Sequence, residues 1–154
     1  MDYKVLDMEK YYRKDIYRHF TMDCKCSVMI TSKIDVSELV AYSKQTGTKF
    51  YINFLYVLTK ALNTRDDYKM RYLYQEDKLV VFDKINTAHY VFHEDTETFT
   101  VVYTEFSEDY QAFYDRCCAD MEKAKQTRSY GLDGSKLNFL MLPIFPGCHM
   151  KHCM

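Results

Sequence analysis

The sequence predicts an α+β fold, a two-layer sandwich with helices laid on one side of a mixed sheet. Three observations predict it. Helix-like and strand-like segments follow one another in mixed order, without a strict strand–helix alternation. Only four glycines and two prolines interrupt the chain, and no linker, repeat or low-complexity tract divides it. At 154 residues and 47% hydrophobic composition, the chain suits one domain with a real core and is too short for two ordinary ones.

The elements follow in order. From Asp7 to about Phe20, Met8, Tyr11, Tyr12 and Ile16 return at helical spacing. Cys24–Thr31 reads as a strand with Cys24, Cys26 and Val28 on one face. Asp35 followed by Glu38 opens a helix carrying Val36, Leu39 and Val40, and Gly47 ends it. The next helix runs from about Tyr51 to Asn63, with Phe54, Leu55, Leu58 and Leu62 as its apolar stripe. Tyr68–Tyr74 and Lys78–Phe82 read as strands around a polar turn at Gln75–Asp77. Strands are expected over Thr87–His93 and Glu97–Glu105, a helix over Glu108–Lys125, and a buried strand over Leu137–Phe145.

Composition narrows the function classes. A formal net charge of -1 gives no bulk attraction to nucleic acid or to an anionic membrane. No apolar run approaches the ~20 residues that span a bilayer, and the opening M-D-Y-K-V-L-D-M-E-K has no apolar signal-peptide core. A cytoplasmic protein is expected, with its six cysteines as free thiols. Fifteen tyrosines and ten phenylalanines suit an aromatic core and rim or a pocket that stacks on an aromatic ligand, and composition by itself favours the core.

The segment Tyr90–Thr100, Y-V-F-H-E-D-T-E-T-F-T, places charged and polar residues where strand alternation would otherwise continue. Its V-F-H-E-x-T-E-T-F resembles a signature of the chloramphenicol acetyltransferase family. Further segments match that family in order: Arg13-Lys14, T-S-K-I-D at Thr31–Asp35, K-F-Y at Lys49–Tyr51, Met70, and L-V-V-F-D at Leu79–Asp83. The match covers almost all of this chain but only the front part of the family's. It implies the front part of the CoA-dependent acyltransferase fold. It also implies acetyl transfer from acetyl-CoA to a hydroxyl of chloramphenicol or a related hydroxyl-bearing small molecule, with no metal. The family works as a homotrimer whose sites lie between subunits. The resemblance further places Phe20, Cys24, Cys26, Tyr90, Phe99 and Val101 at or near positions lining the antibiotic pocket. Each of these residue types on a strand or helix is also ordinary core material.

The family's general base is a histidine in a motif of the form H-H-x-x-x-D-G, suited to the task because an imidazole exchanges a proton near neutral pH. None of His19, His89, His93, His149 and His152 is followed by Asp-Gly at that offset, so no catalytic residue is assigned. Arg13 matches an arginine that pairs with the aspartate of that motif, and without it Arg13 is expected to be a solvated charge. The family's oxyanion-stabilising serine lies in a segment resembling S-x-x-P-W; here Pro143 and Gly147 stand at the serine and tryptophan positions. The expected division is therefore a truncated family domain over 1–142 and an aberrant tail over 143–154. Reading the codons of F-P-G-C-H-M-K-H-C in another frame permits the family-like P-W-V-S-Y-E-A-L, so a frame-shifted tail is expected. Cys148, His149, His152 and Cys153 have zinc-like chemistry, but adjacent Cys-His pairs converge poorly on one ion, and no metal is expected. His93-Glu94 with Glu97 lacks the second histidine of a zinc-protease helix. Cys117-Cys118 diverge on a helix, Cys24-x-Cys26 lacks redox-motif spacing, and no Gly-rich phosphate loop occurs.

Overall fold

Residues 2–24 and 26–142 are described by the computed structural model. Two three-stranded sheets form, with helices packed against them, which is the expected α+β class. The first sheet has order β1-β3-β2, from Tyr3–Val5, Lys78–Phe82 and Met70–Leu73, all antiparallel. The second has order β5-β4-β6, from Thr98–Thr104, Asn86–His93 and Phe139–Leu142. β4 and β5 form an antiparallel hairpin, whereas β6 runs parallel to β4, so this sheet alone is mixed. Both hairpin turns close on a residue in the left-handed region, Asp77 at φ 51° and Glu97 at φ 52°.

The helices are α1 (Lys14–Arg18), α2 (Ser37–Thr46), α3 (Phe50–Asn63) and α4 (Tyr110–Gln126). α2 ends as expected at Gly47, whose φ of 66° needs no side chain to be tolerated. α4 starts on Asp109, whose Oδ1 accepts the Ala112 amide at 2.8 Å. The core joins α3 to α4 through Ile52, Leu55, Phe106, Phe113 and Cys117. A second cluster, Leu73, Val80, Phe82 and Ile85, lies under the first sheet; Val91, Val102 and Ala124 join the second sheet to α4.

Buried amides bind these parts together. At the end of α3, Asn63 accepts the Ile85 amide and donates to the Ile85 carbonyl, both at 2.8 Å. Asn53, 2% exposed, donates to Ser43 and Thr48 and accepts from Tyr110, tying α2, α3 and α4. This network turns α3. Its buried face is Ile52, Asn53, Leu55 and Thr59, and the expected Phe54, Leu58 and Leu62 are only half-buried.

Three expected elements differ. The Asp7–Phe20 helix shrinks to α1, because Asp7 makes a turn: its Oδ1 accepts the Glu9 amide and its carbonyl the Lys10 amide. After α1 the chain continues as a π-helical turn over His19–Asp23. The expected strand Cys24–Thr31 pairs with no strand among the described residues; Val28, Met29 and Ile30 are 82%, 94% and 83% exposed. A strand exists only where another backbone satisfies its amides, and neither sheet includes this segment. The last strand begins at Phe139 rather than Leu137 and is half-buried rather than buried; residues 143–145 of the expected strand lie outside the described residues.

Candidate functional site

Strand alternation sorts the β4–β5 hairpin into two faces. Thr87, His89, Val91 and His93 point toward the helices, where Tyr51 meets His89 and Ala124 meets Val91. Ala88, Tyr90 and Phe92 share the opposite face with Phe99, Val101 and Tyr103. Three of the sequence-predicted residues, Tyr90, Phe99 and Val101, therefore stand on one wall. The Tyr90 and Phe99 rings meet edge to face with centroids 4.6 Å apart, as diagonal neighbours on an antiparallel pair can. Val101 is buried beneath them, while Phe99 remains 43% exposed.

Sequence reasoning missed Tyr130. The segment following α4 runs beside β5, and the Val101 amide donates to the Tyr130 carbonyl at 2.7 Å. This puts the Tyr130 ring 6.1 Å from Phe99 and extends the wall to three aromatic rings. Gly131 makes the approach feasible: its φ is 82°, and a Cβ there would lie 2.7 Å from the Val101 carbonyl oxygen. The sequence signal for this was Ser129-Tyr130-Gly131, just past the end of a helix.

His93 supports this wall from behind. It is buried, and the single proton of the Thr100 hydroxyl is shared between the carbonyls of Ser129 at 2.9 Å and Thr127 at 3.1 Å, so that His93 Nε2 is the donor to Thr100 Oγ1 at 2.9 Å. The histidine and the third threonine of V-F-H-E-x-T-E-T-F-T thus clamp the hairpin to the segment bearing Tyr130. The Arg128 guanidinium holds the Asp95 carboxylate at 3.0 Å and keeps it below the usual carboxylate range.

The other predicted residues lie on different elements. Phe20 stands on the π-helical turn, 49% exposed, its ring 5.2 Å from that of His19. Cys24 and Cys26 are exposed thiols just beyond it. Arg13 is exposed, with its guanidinium 4.9 Å above the Tyr12 ring. Cys117 and Cys118 on α4 are also free, and Cys117 is buried, its thiol pushed up to about 12 by desolvation. Among the described residues, no group of three or more His, Cys, Asp or Glu is arranged to hold a metal ion. No helix there is long and apolar enough to cross a membrane. The tail cysteines and histidines lie outside the described residues.

A family model described as chloramphenicol acetyltransferase matches residues 1–147. The chain belongs to the chloramphenicol acetyltransferase family. Among its relatives, the chloramphenicol acetyltransferase of Clostridium perfringens is 30% identical over 114 residues, which cover 74% of this chain and 52% of the relative. That of Staphylococcus aureus is 29% identical over 123 residues, covering 80% and 56%. A solved chloramphenicol acetyltransferase superposes with a TM-score of 0.77 at 16% identity, covering 92% of this chain and 69% of that one; this likeness concerns the fold. The chain spans about half the length of the curated relatives it matches.

Proposed function

We propose that this chain forms the acceptor side of a chloramphenicol O-acetyltransferase site, one that moves acetyl from acetyl-CoA to a hydroxyl of chloramphenicol or a related hydroxyl-bearing small molecule. The observation that carries the reading is the Tyr90–Phe99–Tyr130 wall, built on the family's signature hairpin and open on one side. Small-molecule sites are mainly apolar and aromatic with a few polar groups, and an aromatic acceptor would stack there. Phe20, Cys24 and Cys26 are the further lining residues of this reading.

The chain as it stands binds the acceptor and does not turn it over, because none of its histidines has the Asp-Gly partner of the family's base. Acetyl-CoA belongs to the reading as co-substrate. No Gly-rich phosphate loop occurs in the sequence, and no residue of this chain is assigned to its phosphates. A homotrimer in the cytoplasm completes the reading; the exposed Val28, Met29 and Ile30 are the kind of surface that a neighbouring subunit covers. Residues 143–154 are an out-of-frame tail in this reading. A nucleotide sequence whose alternative frame fails to continue into a family-like region would remove that part.

The test is chloramphenicol binding by calorimetry together with an acetylation assay. Weak binding that is lost in Phe99→Ala, with no acetylation, is the expected pattern. Binding unchanged in Phe99→Ala would remove the wall from the reading. Turnover by the pure 154-residue chain would overturn the missing base. A second reading, a non-catalytic remnant with residual aromatic-ligand or subunit binding, rests on the same missing motif. Acetylation that stays absent when this chain is mixed with a family subunit supplying the histidine motif would favour it, and acetylation at its acceptor wall in such a mixture would favour the first.

A further inference from the structure

The π-helical turn brings Cys24 to His19 and Asp23, a pair that i,i+4 spacing already makes neighbours. The Cys24 amide donates to the His19 carbonyl at 2.9 Å, an i→i+5 bond that closes the turn. On an α-helix, residues five apart diverge by about 140° around the axis. Here they stack, and Cys24 Sγ lies 3.1 Å from His19 Nε2. The other imidazole nitrogen, Nδ1, lies 3.4 Å from Asp23 Oδ2. A carboxylate only accepts, so Nδ1 carries the proton and the lone pair of Nε2 faces the thiol. Thr21 steadies the turn by donating its hydroxyl to the Tyr17 carbonyl at 2.6 Å.

A thiol beside an imidazole whose far nitrogen is held by a carboxylate is the arrangement of an activated nucleophile. All three side chains are open to solvent, with His19 55% and Asp23 71% exposed. We propose that Cys24 is a reactive thiol that undergoes exchange with low-molecular-weight disulfides, with His19 as its base and Asp23 as the group that orients His19. His19 Nε2 takes the thiol proton, and the Cys24 thiolate attacks one sulfur of the disulfide. The S–S bond breaks, a mixed disulfide forms on Cys24, and the departing thiolate takes the proton from His19. The disulfide is the oxidant, and no other co-reactant is needed. The exchange does not rest on the acetyl-transfer reading, since it needs neither a bound antibiotic nor that reading's base, although Cys24 also lines the acceptor pocket there.

The chain contains its own reference. Cys26 is exposed two residues away, and Lys25 adjoins both cysteines in sequence, so any effect of its charge falls on both. Trypsin cleavage after Lys25 places the two thiols on separate peptides. The full chain is treated with oxidised glutathione at neutral pH, quenched in acid, and digested for mass spectrometry. Cys24 is expected to be modified roughly ten-fold faster than Cys26, while buried Cys117 stays unmodified. His19→Ala and His19→Gln are each expected to bring Cys24 down to the Cys26 rate, and Asp23→Asn to remove part of the advantage. In denaturant the two rates are expected to converge. Equal rates in the folded parent chain would overturn the proposal, as would an advantage that survives either His19 substitution or persists in denaturant.

Discussion

Tyr51 of α3 stands edge-on to His89 of β4, their ring centroids 5.4 Å apart. Among the described residues, neither the Tyr51 hydroxyl nor either nitrogen of His89 has a hydrogen-bond partner, and His89 is fully buried. A charged imidazole is badly solvated in that place, and desolvation lowers the His89 pKa from 6.5 to about 4.

The sign of the pH dependence follows. Between pH 6.5 and about 4 the unfolded chain takes up a proton at His89 that the folded chain refuses. Stability from this residue is full above the unfolded value and is lost as pH falls toward the folded one. A gap of that size corresponds to roughly 3 kcal/mol. Urea unfolding across this range is expected to show the loss, and His89→Leu to flatten it while stabilising the fold at neutral pH by about 1 kcal/mol or more. A variant with an unchanged pH slope would show that His89 is not the group responsible.

Asn63 meets both backbone groups of Ile85, so its removal strands an amide and a carbonyl at the link between the two sheets. Asn63→Ala is expected to cost about 2–3 kcal/mol, measured by chemical denaturation. A loss below ~0.5 kcal/mol would mean that water satisfies these groups as well as the side chain does.

Thr100→Val keeps the shape of the side chain and removes the hydroxyl that links His93 to Ser129 and Thr127. The expected cost is about 1–3 kcal/mol. The aromatic wall should loosen with it, seen as weakened ligand binding at temperatures where the fold is intact.

Gly131→Ala places a methyl group against the Val101 carbonyl in a backbone conformation that alanine resists. The segment carrying Tyr130 is expected to lift from β5 at a cost of about 1–3 kcal/mol. Hydrogen exchange at the Val101 amide, which donates to Tyr130, should quicken while the amides of α4 keep their protection.

The β3 and β4–β5 strands, α2 with its glycine stop, and α4 were legible in the sequence to within a few residues, because period, cap and turn chemistry are local properties. The face of α3 was not legible. Asn53 and Thr59 look like surface residues until Ser43, Thr48 and Tyr110 arrive from elsewhere in the chain to bond Asn53. The Cys24–Thr31 strand failed for the opposite reason: its composition suits a sheet, but no described strand lies beside it.

At the site, family resemblance pointed to Tyr90, Phe99 and Val101, and alternation on the hairpin placed them together. Tyr130 had no family signal, only the Ser129-Tyr130-Gly131 turn chemistry past the end of a helix. Its place depends on a segment after α4 being docked along β5 by Thr100 and made to fit by Gly131.

By itself the sequence determined the family, most of the element types, the signature hairpin and the absence of an H-H-x-x-x-D-G motif from these residues, since all of these reside in residue identity and short spacing. Tertiary structure decided which residues share a wall, why His93 is a clamp, that His89 is buried without a partner among the described residues, and that Cys24 meets His19. Those outcomes depend on backbone hydrogen bonds to distant segments, or on one extra residue in a helical turn, and local propensity carries neither.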